Sequence, residues 1–199
     1  MDCHVVASLL LAMTKESTMA ILPLVIAPDE RLNTPSEPVK VVDDSIRKLL
    51  DDMLDTMYAN DGIGLAAVQV GVHKRCIVVD LAVRDGGRDP IKFINPEIIR
   101  KSEEKHMFQE GCLSFPDQYS DVIRPSSVTV RYLNEHGEQK EMEASELLAT
   151  CLQHEIDHTN GVVFVDHISL MKRDMILRKL KKAKRLGLFA PEPEGAAKL

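Results

Sequence analysis

Gln153-His-Glu-Ile-Asp-His158 is the stretch of sequence from which the fold of this chain is best inferred. It lies between Ser145, a residue type that begins helices, and Gly161, which can adopt the left-handed conformation that ends them. Apolar residues occupy nearly all sides of the helix between these two positions: Leu147, Leu148, Cys151, Leu152 and Ile156. The pattern therefore predicts a buried, central helix rather than one on the surface.

Two histidines in this helix are spaced for metal binding. At 3.6 residues per turn, His154 and His158 lie one above the other on one face. Two imidazoles at this spacing can bind one metal ion, with Glu155 at the edge of the site to exchange protons with water. The alternative, two histidines on an exposed face, fits poorly because buried histidines need a partner. The sequence therefore favours a metal site.

A catalytic metal site needs three protein ligands and one open position. Downstream of the helix, Asp166 and His167 stand at no spacing that identifies a third ligand. Upstream, Glu110-Gly-Cys-Leu-Ser-Phe-Pro116 is a tight turn that contains Cys112. A lone cysteine is more often a small buried apolar residue. Beside an incomplete metal site, however, Cys112 becomes the candidate third ligand.

The segments around the central helix predict an α+β fold. Apolar residues at helical spacing predict one helix over 43–58 and another over 170–186. Strand patterns occur at 76–79, 93–99, 118–123 and 128–133, and a turn at Asn134-Glu-His-Gly137 leads into a short polar strand. Because strands and helices do not alternate, we expect antiparallel sheets packed around the central helix, with a C-terminal helix.

The chain length predicts a single catalytic domain over residues 19–190. Residues 1–18 are expected to be an upstream extension or a start-site artefact, because Met19 offers a second start. A targeting segment is the alternative, although no Lys or Arg precedes its apolar run. That run, 5–13, is too short to span a bilayer, so no membrane association is expected. Residues 191–199 are expected to be a disordered tail.

Composition excludes several classes of protein. The net charge of −6 and an aromatic content of 4% argue against a protein that stacks bases of single-stranded nucleic acid. The 4 cysteines show no CxxC spacing, which favours a reducing compartment and therefore the cytoplasm. Positive charge is concentrated in the C-terminal helix, at Lys172, Arg173, Arg178, Lys179, Lys181, Lys182, Lys184 and Arg185. This basic helix is either a solvated face or a surface that docks on RNA.

Three segments together resemble the peptide deformylase family in order and spacing. They are Gly62-Ile-Gly-Leu-Ala-Ala-Val-Gln69, Glu110-Gly-Cys-Leu-Ser114 and Gln153-His-Glu-Ile-Asp-His158. Pro28-Asp-Glu-Arg-Leu32 is similar to the family's N-terminal segment, and the resemblance extends from about residue 20 to residue 180. It implies hydrolysis of the N-formyl group from the formyl-methionine of newly made polypeptides, which leaves formate and a free amino terminus.

The resemblance also implies a cofactor and a partner. Two imidazoles, one thiolate and one water suit Fe²⁺, Zn²⁺, Ni²⁺ or Co²⁺. The family resemblance implies Fe²⁺ as the working ion, with Zn²⁺ a common occupant. It also implies that the basic helix over Lys172 to Arg185 contacts the ribosome near the tunnel from which nascent chains emerge.

The resemblance assigns site residues position by position. The implied metal ligands are Cys112, His154 and His158, and the implied general base and acid is Glu155. The oxyanion would be stabilised by the Gln69 side chain and the Leu113 backbone N–H. Substrate would pair with the backbone of Ile63 and Gly64, with Thr150 and Cys151 in the side-chain pocket. Glu110 and Arg124 would support the site as a pair, and Tyr119 departs from the Arg of some members.

Two other functions are compatible with parts of this pattern. An HExxH endopeptidase would use the same histidines and glutamate but would need a different third ligand and an open cleft. A ribosome-associated binding protein with a structural metal would need four protein ligands. The sequence offers three ligands and an additional Glu155. It therefore disfavours the structural site.

Overall fold

The structure is a computed structural model that describes residues 20–189 of the 199-residue chain. The predicted extension over 1–18 and the predicted tail over 191–199 lie outside the described residues. The α-helices of this part of the chain are α1 (Asp44–Ala59), α2 (Glu146–Thr159) and α3 (Leu170–Arg185). Short 3₁₀ segments occur at Glu30–Asn33, Ala67–Val70, Ala82–Asp85 and Phe164–His167. No helix between residues 20 and 189 has the length and apolar character needed to cross a membrane.

The first helix begins where its sequence predicts. Asp43 is its N-cap, and its Oδ1 accepts the N–H groups of Ser45 and Ile46 at 3.0 and 3.1 Å. This carboxylate satisfies backbone donors that have no partner within the helix. The apolar stripe of α1 is buried against the sheet and consists of Leu50, Met53, Leu54 and Met57. The helix therefore covers one face of the sheet.

Seven strands form two antiparallel sheets in the described part of the chain. The strands are β1 (Gly64–Ala66), β2 (Cys76–Val79), β3 (Ile91–Lys101), β4 (Lys105–Gly111), β5 (Tyr119–Pro125), β6 (Ser127–Leu133) and β7 (Gln139–Ser145). The larger sheet has the order β1-β2-β3-β6-β7, and the smaller pairs β4 with β5. The β4–β5 hairpin is therefore an insertion between two neighbouring strands, β3 and β6.

The second helix lies between the sheets and is buried along most of its length. Ala149, Leu152 and Ile156 join the core formed with Phe93 and Val130 of the larger sheet. The opposite side of α2, which carries the histidines, faces the β4–β5 hairpin. A second core lies beneath α1, and a third packs Phe115, Phe164 and α3 together. The histidines are thus held where the two sheets and the third core meet.

The expected fold is confirmed, with differences in detail. The three helices and the expected strands are present, and Gly161 ends α2 with φ of +75°. Ser145 occupies the N-cap of α2, but its hydroxyl makes no capping bond. Two strands were not predicted: β1, which is 3 residues long, and β4. The second of these carries part of the site.

Candidate active site

Two histidines of α2 converge because they are one helical turn apart. The rings of His154 and His158 have centroids 5.0 Å apart and meet edge to face. Both side chains are buried, and His158 is fully inaccessible to solvent. The burial confirms that these are not surface histidines. It also requires a partner for each ring nitrogen.

Cys112 completes a cluster of three potential ligands. It follows β4 in a tight turn, closed by a 2.8 Å bond from the Phe115 N–H to the Cys112 carbonyl. Its Sγ lies 3.2 Å from His158 Nε2. One donor atom from each of Cys112, His154 and His158 lies within 4.8 Å of the other two. The structure thus brings together the three residues that the sequence indicated as ligands.

The first histidine is oriented by a buried carboxylate. Burial raises the pKa of Glu110, but hydrogen bonds from His154 and Arg124 outweigh it and hold that pKa below its ordinary value. Glu110 is therefore a carboxylate, and its Oε2 accepts the Nδ1–H of His154 at 2.8 Å. Burial lowers the pKa of His154, but its hydrogen bonds to Cys112 and Glu110 outweigh burial and raise that pKa well above its ordinary value. Nδ1 stays bonded to Glu110, so a cation would bind at Nε2 in place of the second ring proton.

A chain of hydrogen bonds continues from Glu110 to the surface. Arg124 donates to Glu110 through Nε at 2.5 Å and through Nη2 at 3.0 Å. Its Nη1 donates to Asp157 Oδ2 at 2.7 Å, and the same oxygen accepts His167 Nε2 at 2.8 Å. The predicted pair of Glu110 and Arg124 is present and buried, not on the surface. Asp157 and His167 extend it beyond what the sequence indicated.

The donor set fits a divalent metal ion. Burial and the neighbouring His154 hold the pKa of His158 well below its ordinary value, so its imidazole is neutral at pH 7. Its buried Nδ1 has no hydrogen-bond partner among residues 20–189. Two imidazole nitrogens and one thiol sulfur suit Zn²⁺, Fe²⁺ and their neighbours. Three ligands leave one coordination position for water or substrate.

Glu155 lies beside this cluster and is not one of its three members. Its side chain is buried, and Oε2 has no hydrogen-bond partner in the described chain. Burial raises the pKa of Glu155 to about 7. A carboxyl group with a pKa near the working pH can both accept and return a proton. Glu155 has the environment of a general base and acid.

The amide of Gln69 is directed toward the cluster. Its Oε1 accepts the Ala66 N–H at 2.7 Å, which leaves the NH₂ group pointing the other way. Nε2 lies 3.3 Å from Cys112 Sγ and 3.3 Å from Ser114 Oγ. Gln69 is buried, so its orientation is held by these contacts. The site therefore has an amide donor next to the presumed ligand thiol.

A cavity of about 900 Å³ opens onto these groups. Its lining includes Gln69, Cys112, Leu113, His154 and Glu155. Leu113 follows Cys112 and is one of the residues that line the cavity, where the sequence interpretation expects it. The volume is within the range of sites for small ligands and short peptides. The cluster is accessible to a substrate.

The short strand β1 forms one edge of the cavity. It pairs with β2 on one side, where the Ile63 carbonyl accepts the Asp80 N–H at 2.9 Å. Backbone groups of successive residues point to opposite sides of a strand. Those of Gly64 therefore face the open edge, while the Ile63 carbonyl already has a partner. Of the two residues expected to pair with substrate, Gly64 is therefore the one whose backbone groups point away from β2.

Two expected pocket residues lie behind this edge. Cys151 is buried, with Sγ 3.7 Å from the Ile63 carbonyl. Burial raises the pKa of its thiol well above the ordinary value. The Thr150 hydroxyl donates to the Glu146 carbonyl at 3.2 Å and lies 3.0 Å from His106 Nε2. Neither residue lines the cavity: Cys151 packs behind Gly64, and Thr150 packs against His106 of β4.

Sequence interpretation missed three supporting residues. Phe164 stacks on His154 with ring centroids 6.2 Å apart, and Asp157 and His167 end the hydrogen-bond chain. His167 was considered only as a metal ligand, and the cluster does not include it. Asp157 lies within the His154–His158 segment, so its place in the sequence could have identified it as a neighbour of the site. The pairing of His167 depends on tertiary structure alone.

Comparison with known proteins gives a consistent result. The family model described as Polypeptide deformylase matches residues 21–174. A peptide deformylase of Rhizobium meliloti is 53% identical over 165 residues, which cover 83% of this chain and 95% of the relative. One of Mesorhizobium japonicum is 56% identical over 164 residues, with 82% and 93% covered.

Solved structures agree with this result. The crystal structure of peptide deformylase from Ehrlichia chaffeensis matches with a TM-score of 0.79 and 46% identity, covering 85% of this chain and 100% of that one. The same Ehrlichia enzyme in complex with actinonin matches with a TM-score of 0.80 and 48% identity, covering 84% and 99%.

Proposed function

As a member of the polypeptide deformylase family, this chain hydrolyses the N-formyl group of newly made polypeptides, and we propose that Cys112, His154 and His158 hold its metal ion. The observation that supports these ligands is the approach of their donor atoms to within 4.8 Å of one another, beside the buried Glu155. A divalent ion in such a site supplies a nucleophilic water at neutral pH and polarises the carbonyl oxygen that it contacts.

Glu155 moves the proton in the proposed mechanism. Its Oε2 has no other partner in the described chain and takes the proton from the attacking water. The same oxygen then returns that proton to the nitrogen that departs from the formyl carbon. Because burial raises the pKa of Glu155 to about 7, its protonated and ionised forms have similar free energies at neutral pH. It can therefore accept a proton and later return it. One carboxyl group therefore serves as general base and general acid.

Gln69 and Leu113 stabilise the oxygen that becomes negative during attack. The Gln69 NH₂ group is held toward the cluster by the bond between its Oε1 and the Ala66 N–H. Leu113 lines the cavity next to Cys112, and we assign its backbone N–H as the second donor. A donor that is already oriented toward a developing oxyanion lowers the activation free energy by on the order of 3 kcal/mol. We assign one such donor to each residue.

Substrate lies along the edge of β1. The Gly64 backbone faces the open edge and pairs with the peptide as an added strand. A side chain at position 64 would collide with Glu155, because a Cβ there would lie 2.5 Å from Oε1. The bare backbone thus brings the peptide close to the base. Thr150 and Cys151, which the sequence assigned to the methionine pocket, do not line the cavity and support this edge from behind through α2.

We assign Fe²⁺ as the working ion, with Zn²⁺, Ni²⁺ and Co²⁺ as ions that the same donors accept. Two imidazole ligands and one thiolate ligand are consistent with each of these metals. Metal analysis of protein purified without oxygen, together with activity on a formyl-Met peptide, tests the assignment. Activity that follows zinc content and not iron content would contradict it.

We also propose a cytoplasmic location and a ribosomal contact. Cys76, Cys112 and Cys151 are free thiols, as expected in a reducing compartment. The exposed positive charges of α3 suit the phosphates of ribosomal RNA. Salt-dependent sedimentation with ribosomes, compared between the wild type and a Lys181→Glu, Lys182→Glu variant, tests the contact. Equal sedimentation of the two proteins would reject it.

The activity is tested with paired substrates. Formyl-Met-Ala-Ser should be hydrolysed orders of magnitude faster than acetyl-Met-Ala-Ser, because the extra methyl group has no room beside the cluster. Comparable rates on the two peptides would indicate a general aminoacylase, and cleavage of casein would indicate an endopeptidase. We further propose that actinonin binds this chain, as it binds the Ehrlichia relative, and protects it against thermal unfolding.

A further inference from the structure

The segment that precedes the first 3₁₀ turn crosses two elements of the site. Residues 22–27, which we call the strap, belong to no helix and no strand. The Val25 N–H donates to the Gln69 carbonyl at 2.8 Å, and the Ala27 N–H donates to the Ser114 carbonyl at 2.8 Å. Only one residue separates these two donors. One short piece of chain therefore holds the backbone of Gln69 and the backbone of the turn that follows β4.

The strap joins elements that belong to different sheets. Gln69 lies in the 3₁₀ segment that follows β1 of the larger sheet, and Ser114 lies in the turn after β4 of the smaller one. Between residues 20 and 189, no strand of one sheet pairs with a strand of the other. The spacing of Gln69 and Ser114 is therefore set by side-chain contacts and by the strap.

The strap is itself anchored in the interior. The Leu22 N–H donates to Thr56 Oγ1 of α1 at 2.9 Å, and this fully buried hydroxyl donates in turn to the Asp52 carbonyl at 2.6 Å. Val25 and Ala27 are 3% and 2% exposed, and both belong to the third core. The strap is thus a fixed support for the elements that it binds.

The length of the strap limits how far those elements can separate. Two residues of chain span at most about 7 Å, so the N–H groups of Val25 and Ala27 cannot move far apart. Leu113 directly precedes Ser114 in the chain. Each donor assigned to the oxyanion therefore lies in, or next to, a residue whose carbonyl the strap binds.

We propose that Val25 and Ala27 are positioning residues, whose backbone N–H groups hold Gln69 and Leu113 at the spacing that the oxyanion requires. This inference rests on the proposed function, in which those two groups bind the oxygen that becomes negative. Donors stabilise a developing charge when they are already in place, and a displacement of about 1 Å can slow a reaction about 100-fold. Val25 and Ala27 do not line the cavity, so they act through the donors and not on substrate.

Amide-to-ester changes test the two hydrogen bonds. Replacing Val25 or Ala27 by the corresponding α-hydroxy acid removes the N–H and keeps the side chain. Each change should lower kcat for formyl-Met-Ala-Ser by about 10- to 100-fold. KM and metal content should stay close to wild type, because the donors act mainly in the transition state. The same change at Ile26 is the matched control and should keep kcat, because its N–H donates to no backbone carbonyl in residues 20–189.

The anchor of the strap offers a second test by ordinary substitution. Thr56→Val has nearly the same shape but leaves the Leu22 N–H without its acceptor, so kcat should fall by about 2- to 10-fold, the equivalent of one hydrogen bond. Thr56→Ser keeps the hydroxyl and should keep the wild-type kcat. Thr56 does not line the cavity, so neither variant alters a group that meets substrate. If the ester variants do not fold, a wild-type kcat in Thr56→Val would overturn the proposal.

The outcomes separate this proposal from the proposed function. Ester variants at Val25 and Ala27 that unfold at lower urea concentration but keep the wild-type kcat would make the strap a structural element and overturn its positioning role. A fall in kcat that accompanies loss of metal would also overturn it, because the strap would then hold the ligands and not the donors. Wild-type protein that hydrolyses no formyl peptide would overturn the proposed function, and this inference with it.

Discussion

Arg124 and Asp157 are joined by a 2.7 Å hydrogen bond that ties the β4–β5 hairpin to the helix carrying both histidines. The same guanidinium binds Glu110, which orients His154. One buried cation thus fixes two carboxylates that come from different elements. Without the positive charge of Arg124, the carboxylates of Glu110 and Asp157 would repel one another. The relative position of Cys112 and the two histidines depends on this contact.

We predict that Arg124→Met destabilises the protein by about 3 to 5 kcal/mol, because it leaves the buried carboxylate of Glu110 without its cation. Urea unfolding of metal-free protein measures the change. Arg131→Met is the matched control, since Arg131 pairs with Glu141 where the side chains are 44% and 50% exposed. It should cost less than about 1 kcal/mol. Equal losses in the two variants would contradict the network's role.

We predict that Cys112→Ala loses tight metal binding and activity together, because a thiolate ligand is removed. Cys151→Ala and Cys76→Ala should keep the metal, since neither thiol belongs to the cluster. Metal content per protein chain, measured after gel filtration, is the readout. Full occupancy of Cys112→Ala would show that the thiol is not a ligand.

We predict that Glu155→Gln binds metal stoichiometrically but turns over about a thousandfold more slowly. The amide is nearly the same shape, but it cannot accept a proton from water. Metal analysis and single-turnover rates should be measured on one preparation. A variant that arrives without metal would make Glu155 a ligand or a support for one. A variant with metal and a near-normal rate would mean that another group is the base.

We predict that Gly64→Ala slows turnover by on the order of 10²-fold with the metal retained. The added Cβ would lie 2.5 Å from Glu155 Oε1 and 2.9 Å from Cys151 Sγ, so the base must shift. Gly87→Ala is the control, because a Cβ there lies no closer than 3.4 Å to its neighbours. Activity and metal content distinguish displacement of Glu155 from loss of the site.

We predict that Cys76 resists alkylation in the folded protein at pH 8. Burial raises the pKa of this thiol to about 12, so only about one molecule in 10⁴ carries the reactive thiolate. Reaction with iodoacetamide followed by mass spectrometry measures the modification. The same residue should react readily in urea, where the ordinary pKa returns. Rapid modification of folded protein would mean that the thiol is accessible.

The central helix could be predicted because its signals are local. Apolar residues surround His154 and His158, and the segment from Ser145 to Gly161 has the length of a helix. Burial of the helix followed from that pattern, and so did the interpretation of the histidines as ligands. The placement of Cys112 was also anticipated, since the family resemblance joined two distant motifs. The helix and its two histidines could be identified from spacing along the chain alone, whereas the placement of Cys112 also used the resemblance.

The hairpin and the outer part of the network, Asp157 and His167, could not be predicted in the same way. Glu110 is buried in β4 where an alternating strand would place an apolar residue, so the strand pattern is obscured. β1 is too short for a periodic signal. The contact of Arg124 with Asp157 joins residues 33 apart in sequence, and that of His167 with Asp157 joins the Phe164–His167 segment to α2. Such pairs are set by tertiary structure and leave no local pattern.

The insertion of the β4–β5 hairpin between β3 and β6 has a consequence for amide hydrogen exchange. Within residues 20–189, these two strands pair only with each other, and an isolated two-stranded hairpin is marginally stable in water. Its protection against exchange must therefore come from packing on other elements, which are α2, through the contacts of Arg124 and Glu110, and the third core, through Val122. The hairpin and the helix should open as one cooperative unit, while α1 and its core exchange separately. The exchange rates of individual amides would then report the free energy with which the turn that carries Cys112 opens.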